Sequence, residues 1–310
     1  MFTYKNGNYQ VTITDDGVKT RETFIETDKF NPEFPEQSDI KITNKCDLSR
    51  FGGNCQFCHE NSNPNGKHAN LELLLEKFRG LPNGYEIAAG GGEVFAHQGF
   101  IDFLKEIKRR NLIGNATVNE LHLNIRKKEL EYCLSEKLIN GLGVSYRAEN
   151  SNHDALYEIS KYRFSIIHVI AGIDSVEDVS ELVEKLHTKN ILILGYKDFR
   201  RGAAFHARHP SVDKNIAMWY NQLPVFVAKV NSLGGIVSFD NLAIKQLNVR
   251  RILSEEQWNS FYQGEDGLQS ASMYIDAVEQ KFALNSCAEE RFDYKETIIE
   301  MFEFLKEKYN

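Results

Sequence analysis

The chain has 310 residues and a formal net charge of −7, with 42% hydrophobic and 26% charged residues, a composition typical of a folded globular protein. No apolar run approaches the roughly 20 residues that a membrane helix needs, so we expect no membrane span. The acidic balance disfavours a mainly electrostatic grip on nucleic acid, whose phosphates select broad basic surfaces. The opening MFTYKNGNYQ lacks the pattern of a secretory signal, which predicts a cytoplasmic protein without disulfides.

Residues 1–37 predict an N-terminal β-hairpin, with its turn at Asp15-Asp16-Gly17, and a proline-containing connector. Residues 38–202 alternate short apolar strands with amphipathic helices in six successive units. Because parallel strands need long crossover connections, this order predicts an α/β fold, either a barrel or an open doubly wound sheet. The predicted strands are 40–43, 85–90, 116–123, 143–148, 164–172 and 191–196. The predicted helices between them are 70–79, 97–110, 126–138, 153–161 and 175–188.

The pattern loosens after this region, and residues 203–310 predict a mainly helical C-terminal extension that completes a substrate cavity. The segments expected there are helices at 213–232, 254–262 and 295–308 and one strand at 234–239. Tyr274 and Asp276 lie in a segment for which two interpretations are open, side chains facing a cavity or a helix with an apolar stripe.

Three of the five cysteines are close together, with eight residues between Cys46 and Cys55 and two between Cys55 and Cys58. They follow the first predicted strand, and Gly52 and Gly53 allow the loop to fold back. Three thiolates can hold three irons of a cubane cluster and leave the fourth iron open. Such a grouping in a reducing compartment favours metal ligation over a disulfide framework.

Two other interpretations of the trio remain. A structural zinc site needs a fourth ligand, which His59 or His68 can supply. The pair Cys55 and Cys58 alone is a CxxC sequence of the kind used in redox exchange, although that context leaves Cys46 unexplained.

The order of strand, cysteine loop ending Cys55-Gln56-Phe57-Cys58, and helix resembles the start of the barrel in the radical S-adenosylmethionine (SAM) superfamily. The resemblance implies a partial (β/α)₆ TIM-type barrel and a [4Fe-4S] cluster on Cys46, Cys55 and Cys58, with SAM on the open iron and Phe57 beside its adenine. One departure is the first cysteine spacing, which is eight residues here and three in the usual motif.

A glycine run, Gly90-Gly91-Gly92-Glu93, follows the second predicted strand. Alone it is typical of a tight turn, but in this position it is similar to the GGE motif of the same superfamily. The resemblance implies that Gly91, Gly92 and Glu93 receive the amino group of SAM. Val94 stands where the family motif has proline.

Further SAM contacts are predicted at later strand ends, where ligand groups gather in parallel α/β folds. The candidates for the ribose and carboxylate are Asn119, Ser145 and Arg147, and those for the adenine are Ile170, Gly172 and Tyr196. Each of these polar residues is equally compatible with a turn or a satisfied core position.

The resemblance implies reductive cleavage of SAM to a 5′-deoxyadenosyl radical, which abstracts hydrogen from a small-molecule or peptide substrate. A peptide, an amino acid and a nucleotide-like molecule all remain open as that substrate. The electron is expected from an external flavodoxin- or ferredoxin-like protein. The sequence resembles compact, single-cluster members found in bacteria and their phages, since the two spare cysteines cannot hold a second cluster. The alternative from another class is a zinc- or iron–sulfur-stabilised binding protein without turnover.

Two features outside the resemblance carry functional hypotheses. Cys287 is a candidate hydrogen donor to a substrate radical, against the alternative of a small buried hydrophobe, whereas Cys133 is predicted in the core. The segment 197–210 predicts either recognition of a phosphate or carboxylate or a solvated loop. Its basic residues are Arg200, Arg201, Arg208, His206 and His209.

Overall fold

The computed structural model describes residues 1–26, 28–48, 55–150, 152–262 and 271–309. It is a mixed α/β structure with two sheets, so the predicted α/β class is confirmed. Gly52 and Gly53, predicted to shape the cysteine loop, lie outside the described residues. Among the described helices, none combines the length and the apolar character needed to cross a bilayer.

A three-stranded antiparallel sheet forms the N-terminal region, where the sequence predicted a two-stranded hairpin. Its strands are β1 (Phe2–Asn6), β2 (Tyr9–Ile13) and β3 (Lys19–Thr23). The predicted turn joins β2 to β3, and the missed strand β1 pairs with β2 across a turn at Gly7. A buried carboxylate, Glu36, accepts both hydrogen bonds of the Arg21 guanidinium at 2.7 and 2.8 Å and ties this sheet to the connector.

The main sheet has ten strands, and its central part follows chain order. The six consecutive parallel strands are β4 (Gln37–Thr43), β5 (Glu86–Gly91), β6 (Ile113–Asn119), β7 (Gly141–Ser145), β8 (Ser165–Ile170) and β9 (Asn190–Leu194). The helices between them are α1 (Leu71–Lys77), α2 (Phe100–Arg109), α3 (Lys127–Ser135), α4 (Asp154–Ile159) and α5 (Val176–Lys185). Each predicted strand and helix of this region is therefore present, with ends that differ by a few residues.

The C-terminal region is mainly helical, as predicted, and it also adds strands to both edges of this sheet. Its strands are β10 (Ile236–Phe239), β11 (Ser272–Asp276), β12 (Lys281–Ala283) and β13 (Phe292–Asp293). Its helices are α6 (Arg201–His206), α7 (Ser211–Ser232), α8 (Asn241–Gln246), α9 (Glu255–Phe261) and α10 (Ile298–Tyr309). Strand β10 pairs with β9 and β11 pairs with β4, both in parallel. Over the described residues the order ends at β10 and β13, so the sheet is not a closed barrel.

Strand β11 replaces the helix that was one interpretation of the segment around Tyr274. Met273, Tyr274, Ile275 and Asp276 are all buried, because one face of the strand meets the core and the other meets the cavity described below. A strand that is buried on both faces shows no alternation of polar and apolar residues, so periodicity cannot separate it from a buried helix.

Candidate active site

The main sheet curves around one cavity of about 1060 Å³, lined by residues of β4 to β9, β11 and the cysteine loop. Side chains at alternate strand positions point into it. Ala88, Gly90, Gly141 and Gly143 line the cavity on β5 and β7, where barrel interiors usually carry bulky branched residues. These small residues leave the interior hollow, so the cavity runs from the cysteines towards the N-terminal sheet.

The three clustered cysteines share this cavity, into which Cys46, Cys55 and Cys58 all face as free thiols. The loop carrying them folds back on the end of β4, where the Cys46 N–H donates to the Asn63 carbonyl at 2.9 Å. A tight turn brings the other two together, since the Cys58 N–H donates to the Cys55 carbonyl at 3.1 Å. The three cysteines therefore line one cavity near the carboxyl end of the first parallel strand.

The electrostatic setting of the trio suits a positively charged ligand. Burial raises the pKa of the Cys46 thiol to about 11, and the neighbouring Cys55 and Cys58 thiols add to this rise. Burial also raises the pKa of Cys55, whereas Arg147 opposes that rise. A thiolate here is costly without a cation, and a bound metal centre reverses that cost.

Among the residues that the structure describes, no three His, Cys, Asp or Glu side chains converge closely enough to hold a single metal ion. A cubane cluster binds each cysteine through a different iron and does not need such convergence. Of the two histidines considered as a fourth zinc ligand, His59 lines the cavity and His68 does not. The ring of His68 bonds instead to Thr43 Oγ1 at 2.9 Å and packs against His97.

Arg147 is the polar residue in closest contact with the trio. It is 4% exposed, and its Nη1 lies 2.5 Å from Cys55 Sγ. Its guanidinium carbon is 5.6 Å from the centre of the Phe57 ring, and another of its nitrogens pairs with Glu149. This places a permanent positive charge beside the Cys55 thiol.

The glycine run forms the adjoining wall, where Gly90, Gly91 and Gly92 all line the cavity. Glu93 does not, because its carboxylate turns away and accepts hydrogen bonds from Arg126 Nε at 3.0 Å and from the Phe95 N–H at 2.9 Å. Glu93 is 2% exposed and caps the short 3₁₀ helix that follows. Its role towards an amino group stays a prediction.

Gly91 can be tested by mutation, because it has a φ of +107° and an added Cβ would lie 2.3 Å from the Thr43 carbonyl oxygen. Replacing Gly91 by alanine is expected to lower the free energy of unfolding by about 2–4 kcal/mol, from backbone strain and overlap together. The matched control is Gly234→Ala, which has a φ of +74° and no atom within 4 Å of the added Cβ. Urea unfolding followed by circular dichroism measures both, and equal losses would show that the close approach to Thr43 is unimportant.

The remaining predicted SAM contacts divide by position. Those that line the cavity are Phe57, Asn119, Ser145, Arg147, Ile170 and Tyr196. Gly172 is outside the lining, and a Cβ on it would meet the Tyr196 ring at 2.7 Å, so it serves close packing against that ring. The Tyr196 hydroxyl donates to the Gly202 carbonyl at 2.7 Å. Tyr196 also lines the cavity.

Comparisons with known proteins identify solved structures that have a similar fold. No family model and no curated protein matches the chain. A solved structure of Streptococcus suis SuiB bound to the precursor peptide SuiA has a TM-score of 0.55 and 14% identity, covering 90% of this chain and 66% of that one. SuiB bound to S-adenosylmethionine has a TM-score of 0.53 and 15% identity, covering 90% and 67%.

This chain has the fold of SuiB. It spans about two thirds of the length of SuiB. One of these SuiB structures holds a precursor peptide and the other S-adenosylmethionine, and at 14% and 15% identity the likeness shows a shared fold.

Asp174 is a residue of the cavity that the sequence reasoning missed. It is buried, lines the cavity and accepts the Ile170 N–H at 2.7 Å. Burial raises its pKa to about 7, so this carboxyl group can carry a proton at neutral pH. The signal was available, because this acidic residue comes two positions after the apolar segment predicted at 164–172.

A buried charged cluster was also missed. Lys41 on β4 lies 3.1 Å from Asp276 and 3.3 Å from Glu60, and all three side chains are nearly inaccessible to solvent. The Tyr274 hydroxyl donates to Glu60 at 2.9 Å, and Arg291 pairs with Asp276 at 3.1 Å. The cluster joins β4 and β11 to the cysteine loop, since Glu60 lies two residues beyond Cys58.

The two isolated cysteines occupy different environments. Cys133 is fully buried in α3, as predicted for a core residue. Cys287 is half-buried outside the cavity lining, next to Ser286, which does line it. Burial raises the pKa of the Cys287 thiol, which favours the protonated form that a hydrogen donor needs. Its donor role stays a prediction.

Proposed function

We propose that this protein is a radical SAM enzyme that holds a [4Fe-4S] cluster on Cys46, Cys55 and Cys58. The observation that carries the proposal is the convergence of three free thiols and the glycine run on one cavity at the carboxyl ends of parallel strands, within a fold shared with SuiB. We further infer that β4 to β9 and their helices are the partial (β/α)₆ barrel of that superfamily, with residues 203–310 completing the cavity.

The residues present fit a cluster with one open iron. Three sulfur donors face the cavity, and the burial that raises the pKa of Cys46 and Cys55 would be offset by a cationic metal centre. When bound, the cluster would supply the electron that cleaves SAM to methionine and a 5′-deoxyadenosyl radical. The rest of the site binds, orients and excludes water.

The chain's own groups suit the two ends of SAM. Gly91 and Gly92 have no side chains, so their backbone can come close to the amino group of SAM. Asn119 and Ser145 are polar residues that line the same cavity. The aromatic face of Phe57 and the side chains of Ile170 and Tyr196 offer apolar contacts for an adenine. Arg147 lines the same cavity, and its Nε, which has no hydrogen-bond partner in the structure, can donate to a carboxylate.

We infer that the substrate is a peptide. A volume of about 1060 Å³ is at the top of the ~300–1,000 Å³ range of small-molecule sites, which leaves room for SAM and an inserted side chain together. SuiB was solved with a precursor peptide bound, which favours a peptide over an amino acid or a nucleotide-like molecule. The electron donor is expected to be an external flavodoxin- or ferredoxin-like protein.

Anaerobic reconstitution with iron and sulfide tests the proposal. The purified chain is expected to take up about four irons and four sulfides, to develop iron–sulfur absorbance, and to release 5′-deoxyadenosine from SAM under reduction. A chain that instead takes up one zinc and releases no 5′-deoxyadenosine is a zinc-stabilised binding protein. Iron–sulfur uptake without SAM cleavage would also reject the enzyme.

A further inference from the structure

The segment after β9 places two cations on the cavity wall. Lys197 Nζ lies 3.0 Å from Ser286 Oγ and 3.4 Å from His59 Nε2. Arg201 Nη2 donates to the Ser62 carbonyl at 2.6 Å. Within the part of the chain that the structure describes, neither side chain forms an ion pair with a carboxylate. Both cations therefore face the cavity with neutral partners.

The other cations on this wall are paired, which makes the contrast informative. Lys41 contacts both Glu60 and Asp276, and Arg147 contacts Glu149, although the Arg147 Nε has no hydrogen-bond partner in the structure. A cation taken out of bulk water without a counter-charge is costly, so proteins usually supply one or reserve the place for a ligand. Among the described residues, Lys197 and Arg201 thus lack the contacting carboxylate that Lys41 and Arg147 have.

Arg201 gives a second, independent sign of a missing ligand. Its Nε is buried and has no hydrogen-bond partner in the structure. A guanidinium carries five N–H donors in a fixed plane, and carboxylates accept two of them side by side. An anion held at Arg201 would satisfy this free donor, and Lys197 supplies a second positive charge on the same cavity wall.

The nearby fixed charges favour a singly charged anion. Asp39 and Asp240 also line the cavity, and Lys197 acts electrostatically on both. Neither carboxylate is within ion-pair distance of the ammonium. Two such groups repel a phosphate dianion more strongly than a carboxylate monoanion.

We propose that Lys197 and Arg201 anchor a carboxylate of the peptide substrate, either its C-terminus or an Asp or Glu side chain. This assignment deepens the proposed function and rests on it for the peptide. Lys197 also touches His59, which directly follows Cys58, so a carboxylate held there lies at the cysteine-loop side of the cavity.

The test compares N-acetyl-glycylglycine with its C-terminal amide, using saturation-transfer NMR on the purified chain before and after cluster reconstitution. The acid is expected to bind at least about tenfold more tightly than the amide, because only the acid accepts charge-assisted hydrogen bonds between ionised groups. Lys197→Gln and Arg201→Gln should each remove that preference, and Lys197→Arg should retain it. The matched controls Arg208→Gln and Lys214→Gln change exposed cations on the neighbouring helical segments and should behave as wild type.

Equal binding of acid and amide by the wild type would overturn the proposal. So would an acid preference that persists in Lys197→Gln, or inorganic phosphate that displaces the acid at lower concentration than acetate does. If circular dichroism shows that Lys197→Gln does not fold, Lys197→Arg and Arg201→Gln decide the matter.

The two proposals fail separately in these measurements. Iron uptake and 5′-deoxyadenosine release by the wild type judge the radical SAM function. The preference for acid over amide needs only the folded chain, so its loss with intact SAM cleavage rejects the anchor alone.

Discussion

Replacing Cys55 by alanine is expected to abolish cluster binding and, with it, release of 5′-deoxyadenosine from SAM. Without Cys55 a cubane would keep only two of its three protein ligands, and Arg147 would lose the sulfur that its Nη1 contacts. Iron content per chain, measured after anaerobic reconstitution and gel filtration, should fall from about four to background. The same result is expected for Cys46→Ala and Cys58→Ala.

Cys133→Ala is the matched control, because it removes a thiol of the same chain from a site with no access to the cavity. Cys133 is fully buried in α3, so its loss costs some packing but no ligand. This variant should keep the iron and the SAM cleavage of the wild type. Retention of full iron by Cys55→Ala, or equal losses in Cys133→Ala, would contradict the assignment of the three ligands.

The order of strands and helices could be predicted from the sequence because each unit carries its own local signal. The apolar run of β8 and the amphipathic α5, for example, differ in period and are separated by the Ser175 cap, whose side chain accepts the Asp178 N–H. Strand β11 was missed for the opposite reason. It is buried on both faces, and its partner β4 lies more than 200 residues earlier in the chain.

The cysteine and glycine parts of the site could also be predicted, since contiguous motifs report local geometry. The charged cluster could not, because Lys41, Glu60 and Asp276 come together only when β4, the cysteine loop and β11 meet. A partial signal existed in Lys41, a charged residue within the apolar IKIT strand. A charged residue inside an apolar strand indicates that an oppositely charged partner is present, but the sequence does not identify that partner.

In the basic segment 197–210, composition alone predicts more site residues than the structure brings to the cavity. Of the five residues singled out, the structure brings Arg201 to the cavity. His206 pairs with Asp213, and Arg208 bonds within its own helical segment. Lys197, which does face the cavity, was passed over because a single lysine beside a cluster of arginines carries no distinguishing pattern.

Replacing Lys41 by methionine is expected to lower the free energy of unfolding by about 3–5 kcal/mol, the cost of breaking a buried ion pair from one side. Lys41 is 3% exposed and is shared by Glu60 and Asp276, so its loss leaves two buried carboxylates facing one another. Arg291 still offsets Asp276 at 3.1 Å, whereas Glu60 keeps, among the described lysines and arginines, only the more distant Arg200 at 3.8 Å, so the larger loss falls on Glu60. Urea unfolding of the purified chain measures the effect.

The loss of Lys41 should also weaken binding of the iron–sulfur cluster, because Glu60, the partner of Lys41, lies two residues beyond Cys58. Lys41→Met should therefore also retain less iron on gel filtration than wild type, although it changes no sulfur ligand. Lys105→Met is the matched control, since Lys105 forms an exposed pair with Asp102 and such pairs contribute little. If Lys41→Met unfolds at the same urea concentration as Lys105→Met and holds iron equally well, the buried ion pairs of Lys41 do not fix the cysteine loop. A stable Lys41→Met that nevertheless loses iron would instead assign Lys41 to the cavity chemistry and not to the packing of β4 against β11.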